Sequence, residues 1–228
     1  MTVLLILATF VIFLTLDYFY SWRRAEHPVA EDSEPVVPLH TLPRASIVAG
    51  FEVPEALHYH PGHTWALAES PALMRLGLDD FAARLIGKAQ RVSLPQRGRW
   101  VRQGQVFATL YRDGAKAEMV APMEGMVADI NEALVQDPEL ALRDPYGAGW
   151  LVTLQSPDAK TNFRNLLSGA VARKWMEEAA QRLLAKVPVL ASMPALAMAQ
   201  DGGLAVRDLT AVLPDHDWTE LTREFFLS

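Results

Sequence analysis

Three closely spaced histidines are the residues whose type first suggests chemistry. His58, His60 and His63 follow one another at short intervals, and imidazole is the commonest metal-binding side chain. The nearest carboxylates, Glu55 and Glu69, complete no familiar ligand spacing. We therefore expect structural or solvent-exposed histidines and no metal site.

Other residue types that carry catalysis are missing or lack the required context. The chain has no cysteine, which excludes disulfides, thiolate metal sites and a cysteine nucleophile. Ser70 and Ser93 lack a Gly-x-Ser-x-Gly context, and Asp201-Gly202-Gly203 is not followed by a phosphate-loop lysine. The formal net charge of −6 argues against an electrostatic nucleic-acid binder. These patterns predict a protein that is not an enzyme and has no nucleic-acid partner.

One lysine follows a strong turn signal. Asp113-Gly114 lies between two strand-like runs, and Asp-Gly is a preferred pair for a two-residue type I′ hairpin turn, because both positions need positive φ. Lys116 comes two residues later and is expected on the descending strand, where an unmodified lysine is solvated.

The elements around this turn are mostly short strands. β-type runs separated by glycines cover residues 91–95, 105–111, 117–120 and 125–130. Two helices are predicted, over 79–86 and 170–187, and the second has an apolar stripe formed by Trp175, Ala179 and Leu183. We predict a mainly β domain over 51–187 with short flanking helices.

The order of motifs in this domain resembles the H protein of the glycine cleavage system, a lipoyl-domain-like fold. The resemblance covers about residues 57–186 and implies a β-sandwich hybrid of two sheets with flanking helices. The matching segments are Tyr59–Trp65, Gly77–Ala82, Leu94-Pro95 with Gly98 and Gly104, Ala121–Gly125, Asn131–Leu134, Pro138–Leu140 and Asp144–Leu151.

The resemblance also implies where a prosthetic group would be attached. H proteins carry lipoate on one lysine at an exposed hairpin tip, eleven residues before a glycine that corresponds to Gly125, and the lipoyl arm takes an aminomethyl group between partner enzymes. Counting back from Gly125 places Gly114 at the carrier position. We therefore expect a degenerate tip at Asp113 and Gly114 and no cofactor. The alternative is lipoate on Lys116, which would reach the tip if the hairpin is two residues shorter after the lysine.

The N-terminal segment has the composition of a membrane anchor. Residues 2–16 carry no charge, and some 20 helical residues cross a hydrocarbon core of about 30 Å. We predict one transmembrane helix over 1–24, with the N-terminus outside and the main domain on the cytoplasmic side of an inner membrane. A cleaved signal peptide is the alternative, against which stands the lack of a basic n-region. The expected membrane-interface residues are Tyr18, Tyr20, Trp22, Arg23 and Arg24.

Two further segments flank the β domain. Residues 25–50 contain four prolines and an acidic stretch, which is typical of an extended tether. Residues 188–228 form a C-terminal extension that begins with an uncharged, proline-broken apolar tract, and this tract must pack on its own domain or on a partner.

The extension ends in a predicted amphipathic helix over 217–226. It starts with a capping-box-like Asp-x-x-Glu and aligns Trp218, Leu221 and Phe225 on one face. Such a stripe docks on the parent core or anchors an interface, and we treat the three side chains as candidate partner contacts.

Together these features predict a non-catalytic accessory subunit of a larger membrane complex, of the respiratory or photosynthetic kind, built on a degenerate H-protein fold. Its expected partners are the lipid bilayer, through the N-terminal helix, and other subunits of that complex. The alternative function is a membrane-tethered lipoyl carrier of a glycine-cleavage-like system, modified on Lys116.

Overall fold

Antiparallel strands make up most of the described chain. The structure is a computed structural model that describes residues 45–157, 159–187, 209 and 215–227. The predicted anchor over 1–24 and the tether up to residue 44 lie outside these residues, as does most of 188–214. Within the described part, no helix combines the length and the apolar character needed to cross a bilayer.

The strands and helices of the described residues have the following bounds. The strands are β1 Ala45–Val48, β2 Phe51–Pro54, β3 His58–His60, β4 Thr64–Ser70, β5 Leu73–Leu78, β6 Arg91–Ser93, β7 Trp100–Val101, β8 Val106–Arg112, β9 Ala115–Val120, β10 Gly125–Ile130 and β11 Val152–Gln155. The helices are α1 Asp80–Ile86, α2 Ala133–Gln136, α3 Leu140–Arg143, α4 Ala159–Phe163, α5 Gly169–Lys186 and α6 Asp215–Phe226.

Two sheets and one separate hairpin organise these strands. The larger sheet has the order β3-β4-β5-β11-β10-β7, and the smaller one has the order β6-β8-β9. Neighbouring strands are antiparallel throughout, and β1 pairs only with β2. The predicted mainly β architecture, with two sheets and short flanking helices, is confirmed.

Strand residues alternate between the core and the surface. In β10, Gly125 and Val127 point inward while Met126 and Ala128 are exposed, because successive side chains of a strand leave opposite faces. The core under the larger sheet includes fully buried Trp65, whose indole N–H donates to the Leu78 carbonyl at 2.8 Å. The strand runs themselves were located in the sequence by their β-type residues and by the glycines between them.

Helix α1 has a clear start and stop. Asp79 is its N-cap and accepts a hydrogen bond from the backbone N–H of Ala82 at 2.8 Å, and Gly87 ends it with a φ of 70°. In α5, Ala179 and Leu183 are buried as predicted, together with Met176, whereas Trp175 is only partly buried.

Strand β1 lies inside the segment that the sequence assigns to the tether. Ala49 and Gly50 connect it to β2 with φ values of 49° and 86°, and the Ser46 hydroxyl donates to the Val53 carbonyl at 3.1 Å. The last six residues of the predicted extended tether, 45–50, therefore belong to a β-hairpin. Ala-Gly is a weaker turn signal than Asp-Gly, so this hairpin is not marked in the sequence.

Candidate functional site

The tip of the β8–β9 hairpin is the first candidate site. Asp113 and Gly114 form the expected two-residue connection, with φ values of 47° and 83°, and Arg112 pairs with Ala115 at its base. Positive φ at both positions is what a type I′ turn requires. A Cβ atom built on Gly114 would meet nothing within 4 Å. The carrier position implied by the resemblance is thus a glycine that faces open space.

Gln90 fixes this tip from the start of the neighbouring strand. Its Nε2 donates to Asp113 Oδ1 at 2.7 Å, and the backbone N–H of Asp113 donates to Gln90 Oε1 at 3.1 Å. The backbone N–H of Gln90 also donates to the Tyr111 carbonyl at 2.8 Å. Gln90 could not be identified from the sequence, because a glutamine 23 positions before its partner leaves no local signal.

Lys116 lies on strand β9, away from the turn. Its Cα is opposite that of Tyr111, and its side chain is 58% exposed. The ammonium Nζ lies 2.6 Å from Glu118 Oε1, since residues two apart in a strand share a face. Lys116 is a solvated strand lysine with an acidic neighbour on the same face.

Arg112, at the base of the hairpin, connects the tip to the C-terminal helix. Its guanidinium carbon lies 5.5 Å from the centre of the Trp218 ring, a cation–π geometry. Its Nε is 3.6 Å from Asp113 Oδ2. Helix α6 therefore contacts the residue that precedes the turn.

The apolar stripe of α6 packs on the protein's own core. Trp218, Leu221 and Phe225 are 2%, 5% and 2% exposed, and the Trp218 indole N–H donates to the Leu85 carbonyl at 2.7 Å. These three candidate partner contacts pack on the protein's own domain, because α6 docks on α1 and β9. The helix also begins at Asp215, two residues before Asp217, where the predicted capping box starts.

A buried histidine–aspartate pair lies beneath this helix. His63 Nδ1 is 2.8 Å from Asp79 Oδ2, and both side chains are fully buried. The imidazole stacks on Phe81 with 4.1 Å between ring centres and lies 4.7 Å from the Trp175 ring. Its Nε2 has no hydrogen-bond partner among the described residues. A structural role for His63 agrees with one of the two expectations for the histidines.

The other two histidines do not converge on His63. His60 Nδ1 accepts the backbone N–H of Gly62 at 3.0 Å, and burial, followed by the proximity of His63, lowers the pKa of His60 below its usual 6.5. The His58 ring packs at a tilt against the Phe163 ring, with ring centres 4.4 Å apart. Within the described residues no group of three or more His, Cys, Asp or Glu side chains could hold a metal ion.

The predicted membrane-interface residues fall outside the described part of the chain. They are Tyr18, Tyr20, Trp22, Arg23 and Arg24. The membrane contacts expected of them therefore stay a prediction.

Comparison with known proteins places the β domain in a family. The family model described as glycine cleavage H-protein matches residues 57–179, just over half of the chain. The glycine cleavage system H protein of Anaeromyxobacter sp. (strain K) is 34% identical over 127 residues, which cover 56% of this chain and 98% of that protein. The H protein of Mycobacterium avium (strain 104) is 34% identical over 108 residues, 47% of this chain and 82% of that protein.

A solved structure also matches. The crystal structure of a glycine cleavage system H protein from Mycobacterium marinum aligns with a TM-score of 0.43 and 29% identity, covering 46% of this chain and 87% of that one. The family assignment depends on the sequence matches, which span nearly the whole length of the Anaeromyxobacter relative. The chain belongs to the glycine cleavage H-protein family.

Proposed function

We propose that this chain is a non-enzymatic, membrane-tethered accessory module that keeps the H-protein fold without a lipoyl arm. The observation that carries the proposal is the β8–β9 tip, where Gly114 stands at the position that the family resemblance gives to the carrier lysine. Gly114 has no side chain to which lipoate could be attached. The tip residues therefore do not fit the prosthetic group.

The rest of the hairpin supports the same conclusion. Gln90 and Asp113 are joined by two hydrogen bonds, so the two-residue turn is held in one conformation. Lys116 is the one lysine between Lys88 and Lys160, and the register of β8 and β9 keeps it two residues past the turn. A modifying enzyme that recognises a lysine displayed at a turn finds none here.

The membrane part of the proposal is supported by the N-terminal sequence. An uncharged run over residues 2–16, an aromatic cluster and the Arg23-Arg24 pair are the pattern of a single-pass anchor with the following domain on the cytoplasmic side of an inner membrane. A module without cysteine, attached in this way, suits a role in binding other subunits of a membrane complex. Release from sedimented membranes by detergent, but not by high salt, is the expected behaviour.

A second candidate function is a lipoyl carrier modified on Lys116. The observation that favours it is the 58% exposure of the Lys116 side chain on the same hairpin as the family's carrier position. Attachment there would form an amide with Nζ and remove its positive charge, which would break the ion pair with Glu118.

Intact-mass spectrometry of the protein purified from its native membranes separates the two functions. The accessory function predicts the unmodified mass. An added lipoyl group that disappears in a Lys116→Arg variant would instead establish the carrier function.

A gain-of-function variant tests the role of the tip directly. Gly114→Lys places a lysine at the carrier position, in open space, at the moderate cost of a side chain at positive φ. We expect a lipoyl ligase to modify Gly114→Lys and to leave the wild-type chain unmodified in the same reaction. Ser93→Lys, an exposed strand position away from the turn, is the matched control and is expected to stay unmodified. Modification of wild type, abolished in Lys116→Arg, would contradict the proposal.

A further inference from the structure

Helix α6 is an addition to the family domain. The family match ends at residue 179, and the 127 residues aligned to the Anaeromyxobacter relative already cover 98% of that protein. Helix α6 spans Asp215–Phe226, outside the matched part, yet it buries five side chains against the matched domain. These are Trp218, Leu221, Thr222, Phe225 and Phe226, at the i, i+3, i+4, i+7 and i+8 positions of one helix face.

The surface under α6 is a groove with an apolar floor and basic rims, which we call the α6 groove. The Phe225 ring lies 5.1 Å from that of Phe81, and 6.0 Å from that of His63. The floor of the α6 groove consists of His63, Phe81, Leu85 and Val120. Its rims consist of Arg112 on the hairpin and of Arg182 and Lys186 on α5.

One glycine lets the end of α6 approach the floor closely. A Cβ atom on Gly62 would lie 2.6 Å from Val120 Cγ2 and 2.7 Å from the backbone oxygen of Phe226. Neither distance is tolerated by real Cβ atoms, so the groove is shaped at this point to take a helix terminus.

One basic side chain of the rims pairs with a carboxylate on the bound helix. Lys186 Nζ lies 2.7 Å from Glu224 Oε2, and this hydrogen bond raises the pKa of Lys186. The Arg182 guanidinium lies 5.3 Å from the centre of the Phe225 ring. A helix that fits the groove therefore carries a Trp and Phe stripe on one face and carboxylates beside it.

Helix α6 is separated from α5 by residues 187–214 of the sequence. Val187 and Leu209, which the structure describes among them, are both buried. Helix α6 is outside the sheets that hold the family domain together. Undocking of α6 therefore breaks helix contacts and leaves the strand pairings of the described sheets intact.

We propose that the α6 groove is a binding site for an amphipathic helix with an aromatic stripe and an acidic flank, and that α6 is its displaceable intramolecular occupant. A partner helix of this chemistry competes with α6 for the groove. The proposal concerns the groove alone and is independent of whether the chain carries lipoate.

A labelled peptide tests the competition. A fluorescent peptide of residues 207–228 is titrated with the full-length protein in detergent, and binding is followed by fluorescence anisotropy. We expect weak binding to wild type, whose groove is filled, and at least about tenfold tighter binding to the Trp218→Ala/Phe225→Ala variant, whose own helix is weakened. The same double substitution in the peptide should abolish binding, and Arg223→Gln, on the exposed face, should not change it.

Two results would overturn the proposal. The first is that the peptide binds wild type and the Trp218→Ala/Phe225→Ala variant with equal affinity, when circular dichroism shows that the variant is folded. The second is that the peptide does not bind this folded variant at all. If the variant does not fold, hydrogen exchange of the wild-type protein tests instead whether α6 leaves the groove. The buried α6 amides should exchange at least about tenfold faster than those of β10 and β11, and equal rates in a single cooperative unfolding would show that α6 cannot be displaced.

Discussion

His63 and Asp79 bind each other through both side chain and backbone. His63 Nδ1 lies 2.8 Å from Asp79 Oδ2, and the backbone N–H of Asp79 donates to the His63 carbonyl at 3.2 Å. The second carboxylate oxygen, Oδ1, accepts the backbone N–H of Ala82. One buried aspartate thus joins the β3–β4 turn to the N-terminus of α1, directly beneath the C-terminal helix.

The first prediction concerns this pair. His63→Ala should lower the free energy of unfolding by about 3 kcal/mol, because it leaves a cavity between aromatic rings and removes the partner of a buried carboxylate oxygen. Urea unfolding followed by tryptophan fluorescence measures the change. His60→Ala, at a half-buried ring, should cost about 1 kcal/mol or less. Equal losses in the two variants would contradict the pairing described above.

The second prediction uses two tryptophans as a matched pair. Trp218→Phe should lower the free energy of unfolding by about 2 kcal/mol, because a buried hydrogen bond to the Leu85 carbonyl is lost and the ring is smaller. Trp100 is 48% exposed, so Trp100→Phe should change stability by less than about 0.5 kcal/mol. Thermal unfolding of both variants provides the comparison, and a neutral Trp218→Phe would argue against the docking of α6.

The third prediction concerns the Gln90–Asp113 clamp. Gln90→Ala should reduce global stability by only about 0.5 kcal/mol, because its hydrogen bonds are exposed to water. It should nevertheless speed hydrogen exchange in residues 111–116 several-fold, because the turn loses its external support. Gln96→Ala, at another exposed glutamine, should leave exchange in the hairpin unchanged. Unchanged exchange in Gln90→Ala would mean that the turn is rigid by itself.

The fourth prediction is a pH dependence at Glu52. Burial raises the pKa of Glu52 above its usual 4.5, the Asp80 carboxylate raises it further, and Arg84 opposes both. A carboxyl whose pKa is raised in the folded state stabilises the fold below its unfolded pKa, and that contribution is lost as the pH rises through its folded pKa. Glu52→Gln should therefore be more stable than wild type at neutral pH.

The upward shift of the Glu52 pKa also determines the pH range in which the effect of Glu52→Gln disappears. Well below pH 4.5 the wild-type carboxyl is protonated in both states, so the two proteins should have matching urea midpoints. A stability gain of the same size at both pH values would assign the effect to packing rather than to charge.

Features encoded in neighbouring residues could be predicted from the sequence. The β-type run of β10 and the Asp113-Gly114 turn each depend on a few consecutive positions, since strand propensity and turn φ are local properties. The motif order that resembles H proteins is also contiguous, and the family assignment confirms it. The N-terminal anchor depends on a local pattern of the same kind and stays a prediction.

Features that join distant segments required the tertiary structure. The stripe of Trp218, Leu221 and Phe225 was correctly placed on one helix face, but the sequence left open whether that face packs on its own domain or on another chain. The pairs Gln90–Asp113 and His63–Asp79 are 23 and 16 residues apart, and neither has a local signal. A periodic pattern shows that a face must be buried, whereas the surface that buries it is decided by the fit of shapes and polar groups between elements far apart in the chain.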